Sequence, residues 1–139
     1  MNTRVNPDEL RAIPLFAGAS DAGLESVAAS AGELTCRAGQ IVALEGDRGS
    51  GMFVIVDGTA HVEWRGGSVD LGPGTFFGEL TLLAPGGTRI ARVRAATEMR
   101  CLAIPRDVAV ELIESEPSVA LAMLHEIARR FASALPDAE

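Results

Sequence analysis

Short runs of β-forming residues, separated by glycine-rich turns, occupy the middle of the chain from Glu33 to Pro105. Strands of this length and spacing predict a small antiparallel barrel or sandwich, because each strand can bury only one face against a second layer. Asp57-Gly58, which stands between two apolar runs, is the strongest hairpin signal in this region. The runs that we interpret as strands lie at 34–37, 40–44, 52–56, 59–64, 69–71, 92–96 and 99–104.

Helical signals precede this β region. Asn6 followed by Pro7 predicts the start of a helix, because Asn caps free N–H groups and proline fits the first helical position. Pro14 ends that helix, and Ser20 is the predicted cap of a second helix at 21–30.

Helical periodicity returns after Pro105, and a last helix with an apolar stripe begins at Pro117 and can run to Leu135. The order of the elements predicts one α+β domain that spans 1–139. Its expected parts are helices at about 7–30, a double-stranded β-helix or jelly-roll-like antiparallel barrel at about 33–105, and C-terminal helices at about 106–135.

The charge balance limits the classes of partner. With 12 basic and 19 acidic residues the chain has a net charge of −7. A protein that binds nucleic acid gains affinity by neutralising phosphates, so we expect no nucleic-acid binding by this domain. No apolar stretch has the length of a membrane span and no N-terminal segment has the pattern of a signal peptide, so we expect a cytoplasmic protein without membrane contact.

Cysteine and histidine usage gives no sign of a metal site. Cys36 and Cys101 lie far apart, which favours two reduced, buried thiols and leaves a disulfide between two strands open. His61 and His125 have no further ligand nearby in sequence. No nucleophile with a base and an orienting group is visible, so we expect no catalytic residue, no cofactor and no enzymatic activity.

The segment 76–93 departs from the β pattern. Gly78 to Leu83 can form a single helical turn, whose free backbone N–H groups suit an anion. Arg89 follows ten residues after Glu79 across a glycine-rich loop, so we expect an acid and a base together on a concave edge. A half-buried Arg requires an anionic partner, and the carboxylate can accept from a sugar hydroxyl or pair with the Arg.

This segment resembles the phosphate-binding cassette of the cyclic-nucleotide-binding domains of bacterial transcription regulators, cyclic-nucleotide-dependent kinases and gated channels. The cassette of that family reads Phe-Gly-Glu-Leu-small-Leu-Leu, then a loop, then Pro-Arg-small-Ala-Thr-Val. The matching residues, which place the cassette at 77–93, are Phe77-Gly78-Glu79-Leu80-Thr81-Leu82-Leu83 and Thr88-Arg89-Ile90-Ala91-Arg92-Val93. The upstream turn glycines at 39, 46 and 58 also stand where the family turns its strands.

The resemblance implies a site for the cyclic phosphate of a nucleotide. Arg89 would form charge-assisted hydrogen bonds to the phosphate. Gly78 would begin the turn, and the backbone N–H groups of Glu79, Leu80 and Ala91 would add further donors. The Glu79 carboxylate would accept from the ribose 2′-hydroxyl.

The resemblance also implies how the base is held. Val62 and Val69 would form a wall beside it, and the last helix would act as a lid that places 131–135 over it. Ile90 stands where relatives have a small residue or a hydroxyl, and the loss of that hydrogen bond argues against cyclic GMP. Whether Arg92 points into the site or outward stays open.

The implied function is a non-catalytic sensor module that binds a cyclic nucleotide, cyclic AMP (cAMP) rather than cyclic GMP (cGMP). It would relay binding through the lid helix to an effector protein or domain that the sequence does not identify, and a homodimer stays open. The alternative is a ligand-free domain that acts in dimerisation or protein interaction. Two side chains also leave alternatives: Arg130 can pair with Glu126 or reach Glu79, and Trp64 can pack at the barrel end or stack on the base.

Overall fold

The structure is a computed structural model that describes residues 5–43, 51–78 and 91–134. The N-terminal elements are α1 (Pro7–Arg11), a 3₁₀ turn (Pro14–Phe16) and α2 (Asp21–Ser30). The described strands are β1 (Gly32–Cys36), β2 (Ile41–Ala43), β3 (Gly51–Asp57), β4 (Ala60–Trp64), β5 (Gly67–Leu71), β6 (Phe76–Phe77), β7 (Arg92–Ala95) and β8 (Met99–Pro105). The C-terminal helices are α3 (Arg106–Ser115) and α4 (Pro117–Ala134).

The first two helices begin at the caps that the sequence predicts. The Asn6 side chain accepts from the Asp8 N–H at 2.9 Å, and the Ser20 hydroxyl accepts from the Gly23 N–H at 3.1 Å. These oxygens satisfy N–H groups that have no partner within their own helix, which fixes where each helix starts.

The strands form two four-stranded antiparallel sheets that face each other. Their orders are β1-β8-β3-β6 and β2-β7-β4-β5, which is the arrangement of a jelly roll. The predicted α+β fold, an antiparallel β structure between flanking helices, is confirmed. Between the described strands no hydrogen-bonded ladder joins the two sheets, so the β part is a sandwich rather than a closed barrel.

The predicted hairpin at Asp57-Gly58 is wrong. The chain turns there, but β3 pairs with β6 and β8, whereas β4 pairs with β5 and β7. The turn leads from one sheet to the other and packs on the β7–β8 connection, where the Ala96 N–H donates to the Thr59 carbonyl at 2.9 Å. Gly58 is required by this packing, since a Cβ there would lie 2.2 Å from the Glu98 carbonyl oxygen.

Strand β6 is absent from the predicted strands. Phe76 and Phe77 pair with Val54 and Phe53 of β3, although they belong to the segment that departs from the β pattern. Two residues are too few to show an alternation of apolar and polar residues in the sequence. The strand forms because β3 lies beside it and offers a pairing edge.

Two buried clusters form the core. The larger one lies between the helices and the outer face of the β1-β8-β3-β6 sheet, and the smaller one lies between the two sheets. The smaller cluster consists of Cys36, Ile55, Ala60, Leu71, Phe77, Val93, Ala95, Met99 and Cys101. Because Phe76 belongs to the first cluster and Phe77 to the second, β6 contributes to both layers.

Glu116, at the junction of α3 and α4, connects the C-terminal helices to the N-terminal ones. Its carboxylate accepts from the Ser20 N–H at 2.8 Å and from the Ser20 hydroxyl at 2.7 Å. These hydrogen bonds hold the pKa of Glu116 below its ordinary value, because they favour the charged form. None of the helices in the described ranges combines the length and apolar character that a membrane span needs.

Candidate ligand-binding site

The inner face of the β4–β5 hairpin becomes more exposed towards the tip of the hairpin. Ala60 and Leu71 are 0% and 2% exposed, whereas Val62, Val69 and Trp64 are partly exposed. The inward-facing pairs of this hairpin, in order towards the tip, are Ala60 with Leu71, Val62 with Val69, and Trp64 with Gly67. The space between the sheets is therefore closed near Ala60 and opens towards Trp64.

The facing sheet shows the same gradient along β3. Ile55 is fully buried, while Phe53, two residues closer to the open end, is partly exposed. The rings of Phe53 and Phe77 stack across β3 and β6 with centroids 5.0 Å apart and planes at 18°. An aromatic pair on one sheet thus faces the Val62–Val69 pair on the other.

Gly78 and Ala91, two of the predicted ligand contacts, lie next to this end of the sandwich. Gly78 follows Phe77, the partner of Phe53, and has φ of +87°, a conformation that favours glycine. Ala91 is partly buried and leads into Arg92, which pairs with Glu63 next to Val62. The predicted ligand contacts Glu79, Leu80, Arg89 and Ile90 lie outside the described residues.

The Arg92 side chain points away from the space between the sheets. Arg92 lies on the outer face of its sheet, where its guanidinium donates to the Glu63 carboxylate at 3.1 Å. Both side chains are close to half exposed, so the pair contributes little to stability. Arg92 therefore adds no positive charge to the space between the sheets.

Helix α4 is attached to the strand that leads into the cassette. It lies beside β5 and the 3₁₀ turn, and Arg130 extends from it to β6. One guanidinium nitrogen of Arg130 donates to the Phe76 carbonyl at 2.5 Å, and the guanidinium carbon lies 4.7 Å from the centre of the Phe76 ring. A hydrogen bond and a cation–π contact thus join the terminal helix to β6.

Glu126, one turn earlier on α4, orients this Arg. Its carboxylate accepts from Nε of Arg130 at 2.8 Å and from Nη2 of Arg129 at 2.7 Å. Burial raises the pKa of Glu126, but the hydrogen bonds from the two Arg side chains outweigh that effect and lower it. The side chain of Arg130 is 14% exposed and that of Arg129 is 60% exposed, so only Arg130 is part of the packed structure.

The histidine and cysteine residues considered in the sequence analysis lie in ordinary structural positions. His61 lies on the outer face of β4, where Nδ1 is 2.7 Å from the Asp70 carboxylate. Cys36 and Cys101 are free and fully buried between the sheets, and burial raises the pKa of Cys101 to about 12. Within the described ranges, no three His, Cys, Asp or Glu side chains are grouped closely enough to hold a metal ion.

The structure pairs Val62 with Val69 and places Gly78 directly after β6 and Ala91 directly before β7. Sequence reasoning named these four residues as parts of one ligand site, which stays a prediction. It did not identify the Phe53–Phe77 stack, because that contact joins residues on two separate strands.

The comparison with known families identifies the family of this chain. Residues 33–116 match the family model described as the cyclic nucleotide-binding domain. This chain belongs to the cyclic nucleotide-binding domain family, which confirms the resemblance seen in the cassette.

Relatives of this chain have different cellular tasks. A cyclic nucleotide-gated potassium channel of Rhizobium etli is 37% identical over 93 residues, which cover 67% of this chain and 26% of the channel. A CRP-like cAMP-activated global transcriptional regulator of Mycobacterium tuberculosis is 31% identical over 98 residues, 66% of this chain and 43% of the regulator. The chain therefore spans less than half the length of these two relatives.

The fold has a counterpart among solved structures. The cAMP-bound structure of PfPKA-R superposes with a TM-score of 0.78 over 93% of this chain and 44% of that one. Its sequence identity of 22% means that the likeness concerns the fold alone.

Proposed function

We propose that this chain is a non-catalytic module that binds cAMP in preference to cGMP at the open end of the sandwich and relays binding through α4 to a partner protein or domain. The observation that supports this most is the contact between Arg130 and Phe76, because it connects the terminal helix to the strand that leads into the cassette. The name of one relative adds support for the ligand, since that regulator is cAMP-activated.

The proposed ligand contacts follow the cassette. Arg89 binds the cyclic phosphate together with the N–H groups of Glu79, Leu80 and Ala91, and the Glu79 carboxylate binds the ribose 2′-hydroxyl. Gly78 provides the φ of +87° from which the turn starts. Ile90 offers no hydroxyl to a guanine, which is the basis for preferring cAMP over cGMP. Val62 and Val69 form the wall for the base.

The relay uses the attachment of α4 as its two-state element. A ligand shifts such an equilibrium only by its differential affinity for the two states. When the cassette closes on a nucleotide, the Phe76 carbonyl and ring move relative to α4, so the Arg130 contact is stronger in one state than in the other. The free thiols Cys36 and Cys101 support the predicted cytoplasmic location.

A calorimetric titration with cAMP and with cGMP tests this proposal directly. We expect saturable heat with cAMP and weaker binding of cGMP. In a separate unfolding experiment, cAMP at about 100 times its dissociation constant should raise the free energy of unfolding by about 2.7 kcal/mol. Arg89→Ala should abolish binding, whereas the matched control Arg92→Ala, on the outer face, should bind as the unaltered protein does. Absence of heat with both nucleotides at millimolar concentration, or normal binding by Arg89→Ala, would contradict the proposal.

One observation favours a second candidate, self-association of α4. Leu121, Leu124 and Phe131 are 53%, 61% and 66% exposed, and with Ala128 they follow the alternating spacing of three and four residues found in coiled-coil pairs. Such a stripe fits a second copy of this chain. Leu124→Glu should turn a dimer into a monomer in sedimentation, and Glu114→Gln is the control. A dimer that binds no nucleotide would favour the ligand-free interaction domain instead.

A further inference from the structure

The side chain of Trp64 lies on the same face of the hairpin as the residues proposed to hold the base. Ala60, Val62 and Trp64 alternate along β4, so all three face the space between the sheets. Ala60 is fully buried, Val62 is partly exposed, and Trp64 is the last inward residue before the turn. The indole therefore extends the Val62–Val69 wall towards the open end.

The partner of Trp64 on the neighbouring strand is Gly67, and this glycine decides how the indole lies. A Cβ at Gly67 would be 2.9 Å from Cζ2, 3.1 Å from Cε2 and 3.3 Å from Nε1 of Trp64. The five-membered and six-membered rings thus both pass over the Gly67 backbone. A residue with a side chain at 67 would push the indole away from the strand.

Packing within the protein does not cover the whole indole ring of Trp64. Gly67 has no side chain to cover the indole, and Trp64 stays partly exposed although its neighbours Ala60 and Leu71 are buried. Inward residues two apart on a strand are separated by about 6.7 Å, which is short enough for one bicyclic base to contact both of them. An aromatic surface is therefore available next to the position proposed for the base.

We infer that Trp64 is an aromatic shelf for the heterocyclic base and sets a preference for purine over pyrimidine cyclic nucleotides. This inference rests on the proposed function, because it assumes that the base lies along Val62 and Val69. Stacking of a base on an aromatic side chain depends on the area of the base, so the larger purine gains more from the indole than a pyrimidine does.

The decisive measurement is the ratio of dissociation constants for cAMP and cyclic CMP. Removal of a base-stacking side chain weakens binding by about 5- to 150-fold. We expect Trp64→Leu to weaken cAMP by at least about fivefold and cyclic CMP by less, so that the ratio shrinks, while Trp64→Phe keeps most of it. Arg65→Gln, at the exposed tip of the same hairpin, is the control and should leave both constants unchanged. An unchanged ratio in a folded Trp64→Leu variant would overturn the inference.

The unaltered protein gives an independent readout. Trp64 is the sole tryptophan and the chain has no tyrosine, so its fluorescence reports this one side chain. Added cAMP should quench or shift the emission with the same dissociation constant as calorimetry, and Arg89→Ala should show no change. Heat of binding without any change in emission would overturn the role of Trp64 and leave the proposed function intact. Neither heat nor emission change would overturn both.

Discussion

Arg130 of α4 donates a hydrogen bond to the carbonyl oxygen of Phe76 at 2.5 Å while its guanidinium lies 4.7 Å from the centre of the Phe76 ring. This attachment is made to a strand of only two residues, and the next residue after that strand is Gly78. In the proposed relay, a change in the conformation of the cassette would act on α4 through this contact. The first prediction concerns this contact.

Replacement of Arg130 should loosen α4, because the variant loses a largely buried, charge-assisted hydrogen bond. We expect Arg130→Ala to lower the free energy of unfolding by about 1.5–3 kcal/mol and to speed amide exchange in the last turns of α4. Arg129→Ala is the matched control, since Arg129 also pairs with Glu126 but is 60% exposed. It should leave the free energy of unfolding almost unchanged, because an exposed ion pair contributes little to stability. Equal effects of the two substitutions would show that the Phe76 contact is not what holds the helix.

The proposed ribose contact predicts a dependence on the 2′-hydroxyl of the ligand. A ligand without this hydroxyl would leave the Glu79 carboxylate without its proposed partner in the complex, which is costly, so the unaltered protein should bind cAMP more tightly than 2′-deoxy-cAMP by about 5- to 150-fold. In Glu79→Gln the ratio of the two dissociation constants should fall several-fold. Glu63→Gln, on the outer face, should keep the ratio of the unaltered protein. Preservation of the full ratio in Glu79→Gln would place the hydroxyl elsewhere.

Gly78 offers a test that separates backbone strain from ligand binding. Gly78 and Gly39 have φ of +87° and +88°, so alanine at either position is strained by a similar amount, about 1–2 kcal/mol. Thermal unfolding should therefore show comparable losses for Gly78→Ala and Gly39→Ala. Only Gly78→Ala should also weaken cAMP, because it alone begins the proposed phosphate-binding turn. Equal affinities for the two variants would mean that the turn geometry at Gly78 is not needed for the ligand.

The junction between Ser20 and Glu116 predicts sensitivity to acid. The hydrogen bonds from Ser20 lower the pKa of Glu116, so the folded state favours the carboxylate more than the unfolded state does. The resulting stabilisation is present above the ordinary value of about 4.5 and is lost as the pH falls through the lowered pKa. Denaturant unfolding at a series of acidic pH values should show a smaller loss for Glu116→Gln than for the unaltered protein. The exposed Glu114→Gln serves as control, and parallel pH profiles for all three proteins would refute the link.

The free energy of unfolding at alkaline pH should depend on the buried thiols. Burial raises the pKa of Cys101 from 9.0 to about 12, so the folded state retains a proton that the unfolded state releases. The stabilisation is complete below about pH 9 and is lost as the pH rises towards about 12, at roughly 1.4 kcal/mol per pH unit. The chain has neither Lys nor Tyr, so few other side chains titrate in this window. In urea unfolding at a series of alkaline pH values, Cys101→Ala should lose less stability with rising pH than the unaltered protein does. An equal loss in both proteins would show that the Cys101 thiol is not its cause.

Local features of the sequence determined much of this protein. Asn6 and Ser20 fixed the starts of two helices, because a cap depends only on residues within one turn. The Phe77-Gly78-Glu79 motif predicted the cassette, and the family match over residues 33–116 confirmed the family resemblance. Alternation of apolar residues also located most strands to within two or three residues.

Contacts between distant residues were decided only by the tertiary structure. Asp57-Gly58 has the composition of a hairpin turn but crosses between sheets, because its neighbours in space are residues 96–98. Arg92 points outward because successive side chains of a strand alternate and its neighbour Val93 lies in the cluster between the sheets. β6 exists because β3 offers an edge beside it. Such pairings depend on where distant parts of the chain lie, and the local propensity of a segment does not contain that information.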